Sequence, residues 1–223
     1  MSAVRRAIGV VGELLITAGV IVLLFVAYQL VWTNFLADRV ATQKADQLEK
    51  SWEENGPEGP EFELPISNGD AFAMLRIPGI SGAERVPIVQ GVTLDDLARG
   101  VGHYPETALP GEVGNFSVAG HRATNGEPFA LLDQLQKGDP VVVETGSTWY
   151  TYEVTREYIV QPTQVGVILP VPNQPDAEPT RQLLTLTTCN PRWASYERLI
   201  FHAKLVDESP KGDGRPAALG GDL

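Results

Sequence analysis

The sequence predicts an all-β domain, a barrel or sandwich with short helices, behind one N-terminal transmembrane helix. Three observations predict it. An uncharged apolar run extends from Leu14 to Trp32. Short β-type runs then recur between residues 71 and 205, separated by turn residues such as Pro78-Gly79, Gly111, Lys137-Gly138-Asp139-Pro140 and Thr145-Gly146, the pattern of a many-stranded β domain. The composition, 43% hydrophobic and 20% charged, is that of a chain that folds.

The apolar run defines the first element. About 20 apolar residues rising 1.5 Å each cross a ~30 Å hydrocarbon core. Arg5 and Arg6 precede the run, and Tyr28 and Trp32 lie near its far end. Basic residues inside and aromatic residues at the interface predict a single-pass cell-membrane protein, N-terminus in and C-terminus out. A cleaved signal peptide is the rival reading. The run is longer than the usual 7–15 residue signal core and no clear small-x-small site follows it. A buried core helix is the third reading. Glu13, near the inner end, is the one charge in the extended helix. The expected division is residues 1–6 cytoplasmic and residues 7–34 a transmembrane signal anchor.

Residues 35–67 are expected to form an acidic Pro/Gly stalk. Phe35–Trp52 has helical character, and ENGPEGPEFELP then stops the helix. Its excess of acid predicts a solvated spacer. Residues 68–207 carry the β domain. Its candidate strands are Ala71–Ile77, Val86–Gln90, Asn115–Gly120, Pro140–Glu144, Thr148–Val160, Arg181–Thr188 and Arg198–Leu205. Helical candidates are Leu94–Arg99 and Phe129–Leu135. The proline-rich stretch Gln161–Pro179 reads as a long loop, and loops of that length are often functional. Residues 208–223 are expected to be a disordered tail.

Composition narrows the function. Lys and Arg number 17 against 28 Asp and Glu, a formal net charge of −11 in 223 residues. That balance argues against nucleic acid as a partner, since phosphate binding needs a basic face. A single cysteine excludes an intramolecular disulfide and any zinc site with two thiolates. In an oxidising compartment an unpaired thiol is a liability unless it is buried or used.

Three segments carry candidate chemistry. Asn115-Phe116-Ser117-Val118-Ala119-Gly120-His121-Arg122 is a strand ending in Gly-His. Leu184-Thr185-Leu186-Thr187-Thr188-Cys189 is a strand ending in the only cysteine. Arg198 opens the strand Arg198–Ala203 nine residues later. A thiol is mostly protonated near neutral pH, with a reference pKa of about 8.5. A nearby imidazole takes that proton and later protonates a leaving amine. Arginine stays cationic and donates to a developing oxyanion. Each residue also has an ordinary reading: a buried thiol, a turn histidine, a salt-bridged arginine. His103 and His202 are competing bases, His202 lying within an apolar strand.

Taken together, the three segments resemble the sortases, membrane-anchored cysteine transpeptidases of Gram-positive surfaces. The family's Thr-Leu-x-Thr-Cys strand end matches Thr185-Leu186-Thr187-Thr188-Cys189. Its histidine at an earlier strand end matches His121, and its arginine on the following strand matches Arg198. GHYPETALPGEVGNFSVAGHRAT (Gly102–Thr124) and TLTTCNPRWASYERLI are similar to the actinobacterial class E subgroup. The resemblance implies an eight-stranded β-barrel, with Cys189 as nucleophile, His121 as general acid and base, and Arg198 as electrostatic stabiliser. It implies cleavage of the Thr–Gly bond of LAxTG or LPxTG sorting signals through a thioacyl-enzyme. The expected partners are secreted proteins bearing such signals and an amine of a peptidoglycan precursor. Thr188 is expected to help orient the substrate and Tyr104 to wall the signal pocket. No cofactor and no required metal are expected. The Asp-Pro-aromatic lid of pilin-polymerising sortases is not found before the β domain, which favours an anchoring role.

Two other enzyme classes fit less well. L,D-transpeptidases place their cysteine after His-Gly, and here Thr187-Thr188 precede Cys189. The Cys-Gly-x-Cys-Trp neighbourhood of papain-like proteases is missing. The non-enzymatic alternative is a membrane-tethered binding module, which expects Cys189 buried and remote from His121 and Arg198.

Overall fold

The computed structural model describes residues 3–56, 59–62 and 65–220. The first two residues of the expected cytoplasmic segment, stalk residues 57–58 and 63–64, and the last three residues of the expected tail lie outside the described residues.

Helix α1 (Ala3–Ala27) passes through a π-helical segment, Tyr28–Trp32, into α2 (Thr33–Asn55). The part of α1 from Arg5 to Ala27 is long and apolar enough to cross a membrane, and none of it is buried against the rest of the protein. It is a candidate membrane anchor.

Eight strands follow: β1 (Ala71–Arg76), β2 (Val86–Gln90), β3 (Val101–His103), β4 (Gly114–Ala119), β5 (Pro140–Glu144), β6 (Thr148–Val160), β7 (Gln182–Asn190) and β8 (Glu197–Pro210). They close into a barrel in the order β1-β2-β3-β4-β7-β8-β6-β5. Two neighbouring pairs, β2/β3 and β4/β7, are parallel. A parallel neighbour needs a crossover connection. The β2–β3 crossover holds the short helix α3 (Leu94–Leu97), whose N-terminus is closed by a capping box between Thr93 and Asp96. The second helical candidate yields only a single 3₁₀ turn, Leu132–Gln134. Strand β3 was not among the candidate strands. Its three residues are too few to show an alternating pattern, and pairing on both sides holds it.

Alternation along each strand sorts its side chains. Phe116, Val118, Leu184, Leu186, Leu199 and Phe201 point into the barrel and belong to its buried core. Each such side chain contributes roughly 1.5–3 kcal/mol by leaving water. The intervening residues of β4, β7 and β8 therefore face outward, and the site is built on that outer face.

Both flanks of the barrel make ordered contacts with it. The helical part of the stalk does not stand free in solvent. Ala37, Ala45 and Trp52 of α2 are buried, and its acids pair with the barrel. Arg85 meets Asp46 and Glu49 at 2.7 Å each, and Arg76 meets Glu49 at 3.0 Å. The Arg85 hydrogen bond leads the effects that hold the Glu49 carboxyl below its ordinary pKa, with Arg76 adding to it. The tail also begins as ordered chain. β8 runs to Pro210, pairing Ser209 with Trp149. Lys211 then bonds Glu144 at 2.7 Å and lies over the Trp52 ring, 4.1 Å from its centroid. Sequence composition saw the charges of both segments but not the partners that neutralise them.

Candidate active site

Cys189 lies near the end of β7. Leu184 and Leu186 point inward, so Thr185, Thr187 and Cys189 alternate onto the outer face. The thiol is unpaired and half-buried.

Arg198 is the register partner of Cys189 across the antiparallel β7/β8 pair. Directly opposed residues put their side chains on the same face. The Arg198 Nη1 group donates to the Ser195 carbonyl at 3.1 Å and to the Glu197 carbonyl at 2.9 Å. These bonds tie the guanidinium to the turn beside the thiol.

His121 arrives from the other side. In the parallel β4/β7 pair, Ala119 is level with Thr187. The pairing continues one step beyond the strand: the Gly120 N–H donates to the Thr187 carbonyl at 3.1 Å, and the Thr188 hydroxyl donates to the Gly120 carbonyl at 2.7 Å. The next residues along the two segments are His121 and Cys189. Glycine at position 120 has a packing reason, because a Cβ there would lie 2.5 Å from the Phe129 ring. Burial holds the His121 pKa below its ordinary value. Its Nε2 has no hydrogen-bond partner among the described residues.

The fold thus pairs Cys189 with Arg198 in register on β7 and β8, and sets the end of β4, two residues before His121, level with Thr187, two residues before Cys189. The other two histidines are committed elsewhere. His103 is buried, with Nδ1 bonded to Gln90 at 2.8 Å and Nε2 to Thr107 and the Ala108 carbonyl. His202 bonds Tyr158 at 2.7 Å and Thr185 at 2.8 Å. Burial pushes both imidazoles down to about 4.

Tyr104 and Thr188 fall on different sides of the wall. The Tyr104 hydroxyl meets the Thr187 hydroxyl at 3.1 Å, on the outer face two residues before the thiol. Thr188 is buried, and its hydroxyl is occupied by Gly120. That bond locks the end of β7 to the residue before His121.

Arg122 was quoted in the sequence motif but given no role. Its buried guanidinium donates to the Cys189 carbonyl at 3.4 Å and to Asn190 Oδ1 at 2.9 Å, and pairs with Asp133 at 2.9 Å. A cation one residue past His121 was the available signal. Its partner, the backbone of Cys189, is invisible without the fold. The long loop between β6 and β7 also packs on the outer face. Val167 joins Val160 and Ile200 in a small cluster, and Asn115 Nδ2 donates to the Val167 and Leu169 carbonyls.

The tethered-module reading expected Cys189 buried and remote from the other two. It is half-buried, with its register partner on one side and the His121 strand on the other.

Comparison with known proteins agrees with this architecture. The Sortase domain family matches residues 75–206. Sortase SrtE1 of Streptomyces coelicolor is 42% identical over 94% of this chain, and the match covers 60% of that protein's length. Sortase SrtE2 of the same organism is 35% identical over 95% of this chain and 87% of its own. Among solved structures, SrtA sortase from Actinomyces oris superposes with a TM-score of 0.67 at 41% identity, covering 72% of this chain and 93% of that one. Sortase E from Streptomyces avermitilis gives 0.62 at 42% identity, covering 69% and 99%.

Proposed function

Because the chain belongs to the sortase family, we propose that it is a membrane-anchored cysteine transpeptidase of the class E type. In this reading it cleaves the Thr–Gly bond of LAxTG or LPxTG sorting signals on secreted proteins. One observation supports the reading: Cys189 is the register partner of Arg198, and the adjacent strand β4 ends two residues before His121, level with Thr187.

The chemistry follows from that arrangement. The Cys189 sulfur attacks the threonine carbonyl carbon while His121 takes the thiol proton. Arg198 donates to the oxyanion that develops on the carbonyl oxygen, where charge-assisted donors are strongest. Collapse of the tetrahedral intermediate breaks the C–N bond. The imidazolium of His121 returns its proton to the departing glycine amine. The signal-bearing protein is then held as a thioester on Cys189. An amine of a peptidoglycan precursor attacks that thioester, His121 accepts its proton, and the thiol is restored as the protein leaves on a new amide bond.

Tyr104, on the outer face beside Thr187, serves as a wall of the signal pocket. Arg122 is a positioning residue that fixes the backbone at Cys189. With α1 as anchor, the barrel lies on the extracytoplasmic side, N-terminus in.

Intact mass spectrometry tests the reading. The full chain in detergent micelles is incubated with LAxTG and LPxTG peptides. A thioacyl adduct on Cys189, released by hydroxylamine or a glycine-type amine and lost in Cys189→Ala, is the expected result. The ratio of adducts ranks the two signals. A folded chain that gives neither adduct nor cleavage excludes both signals as substrates.

A further inference from the structure

Beside Cys189, the turn between β7 and β8 presents two large aromatic side chains to solvent, Trp193 and Tyr196, 68% and 77% exposed. The turn that carries them is tied down. Arg192 pairs with Glu127 at 2.8 Å, and its guanidinium carbon lies 5.0 Å from the Trp193 ring centroid. The Ala194 N–H donates to the Pro191 carbonyl at 2.9 Å. Two rings held outward on a fixed turn form a surface that water alone does not satisfy.

The position of that turn identifies its partner. Glu127 also accepts from Asn34 Nδ2 at 3.3 Å, and Asn34 Oδ1 accepts from the Gly126 N–H at 3.2 Å. Asn34 stands in the first turn of α2, two residues beyond Trp32. Two residues are about 3 Å along a helix axis. The contacts Trp193–Arg192–Glu127–Asn34 therefore link the aromatic turn to the outer end of the apolar span. The buried contacts of Ala45 and Trp52 lie progressively farther along α2. The loops at 126–127 and 192–196 thus form the end of the barrel nearest that span. Tyr28, Trp32 and Phe35 of the helix are exposed at the same end.

We propose that Trp193 and Tyr196 insert into the headgroup interface of the bilayer that α1 spans, docking the barrel with its Cys189 rim beside the membrane surface. This rests on the reading of α1 as a membrane anchor. The occupant is lipid because the contacts through Arg192, Glu127 and Asn34 tie the aromatic turn to the helix end that carries Tyr28, Trp32 and Phe35, and amphipathic rings settle at the bilayer interface. With α1 as the first attachment, the aromatic turn is a second. Two points fix the tilt of the barrel, so that the thiol meets signals as they emerge from the bilayer.

Tryptophan quenching by lipid separates the two attachments. The full chain is reconstituted in vesicles of phosphatidylcholine and phosphatidylglycerol, with or without bromine on the upper acyl chain. Emission is compared among the wild type, Trp32→Phe, Trp193→Phe and the double variant. The signal belonging to Trp32 reports insertion of α1, and that belonging to Trp193 reports docking. Both are expected to lose most of their intensity in brominated vesicles, and the Trp193 signal to shift to the blue. Quenching of Trp32 with an unquenched Trp193 signal overturns the docking while leaving the anchor intact. No quenching of Trp32 overturns the anchor reading and the docking with it. A Trp193→Ser/Tyr196→Ser variant adds a functional readout. It should turn over a short soluble signal peptide at the wild-type rate in detergent, and a membrane-embedded signal protein several-fold more slowly in vesicles. Equal losses on both substrates would assign the two rings to peptide binding and overturn the proposal.

Discussion

The Thr188 hydroxyl donates to the Gly120 carbonyl at 2.7 Å, across the parallel pair that brings two remote stretches of chain together. One bond therefore fixes the residue before Cys189 against the residue before His121. Thr188→Val keeps the volume but leaves a buried carbonyl unpaired, a loss of about 1–3 kcal/mol. Thermal or denaturant unfolding should show that destabilisation. Turnover should fall with it, because the residue before His121 loses that tie. Unchanged stability and turnover would remove Thr188 from the site's support.

His121 and Arg198 are predicted to carry separable parts of the rate. His121→Ala should reduce turnover roughly 10²–10⁴-fold, the usual contribution of general acid–base catalysis. Arg198→Ala should cost roughly 10²–10³-fold, as for a lost oxyanion donor. Arg198→Lys should recover little. An ammonium cannot reproduce a planar guanidinium that gives Nη1 to the Ser195 and Glu197 carbonyls and keeps further N–H donors on its other nitrogens. Steady-state kinetics on a signal peptide measures all three.

Arg122 acts through the backbone at Cys189. Its guanidinium reaches the Cys189 carbonyl, Asn190 and Asp133 at once. Arg122→Lys should keep the charge yet lower kcat well beyond any change in KM, since a single ammonium cannot serve three acceptors in different directions. If KM changes and kcat does not, Arg122 belongs to substrate binding.

Stability should depend on pH through His103 and His202. Burial places both folded imidazoles near 4, against an ordinary value of 6.5. Between these values the unfolded chain holds more protons, so stability rises with pH. It is complete above about pH 6.5 and lost as pH falls toward about 4, by on the order of a few kcal/mol in total. The melting temperature followed from pH 7 to pH 4 should fall accordingly. His202→Gln should flatten part of that slope while retaining a hydrogen-bonding group toward Tyr158 and Thr185.

Helix α2 should loosen when its ion pairs are removed. Arg85 holds Asp46 and Glu49, and Arg76 holds Glu49. Arg85→Ala should raise hydrogen exchange over residues 37–52 more than over the barrel strands. The same region should loosen as pH drops below the ordinary carboxylate range. Glu49 has a lowered folded pKa, so its contribution is present above the unfolded value and lost as it protonates.

Much of this protein was legible in its sequence. The apolar run, most strand positions and the three chemical segments depend on local patterns: an uninterrupted span, a period of two, a residue type at a strand end. Such patterns are encoded within a few neighbouring residues and survive in one dimension. Strand β3 escaped because three residues carry no period. Asp46 and Glu49 read as solvent-facing acids because their arginine partners lie 27 to 39 residues away.

The site divides along the same line. The sequence by itself determined the candidate reactive groups, one thiol at a strand end and a histidine and an arginine at two others. Only the tertiary structure decided the register of the strands that carry them, Ala119 level with Thr187 and Cys189 with Arg198. It also turned Thr188 inward and recruited Arg122 to the Cys189 backbone. Strand identity is set by local chemistry, whereas register and facing are set by closure of the barrel, which every strand shares.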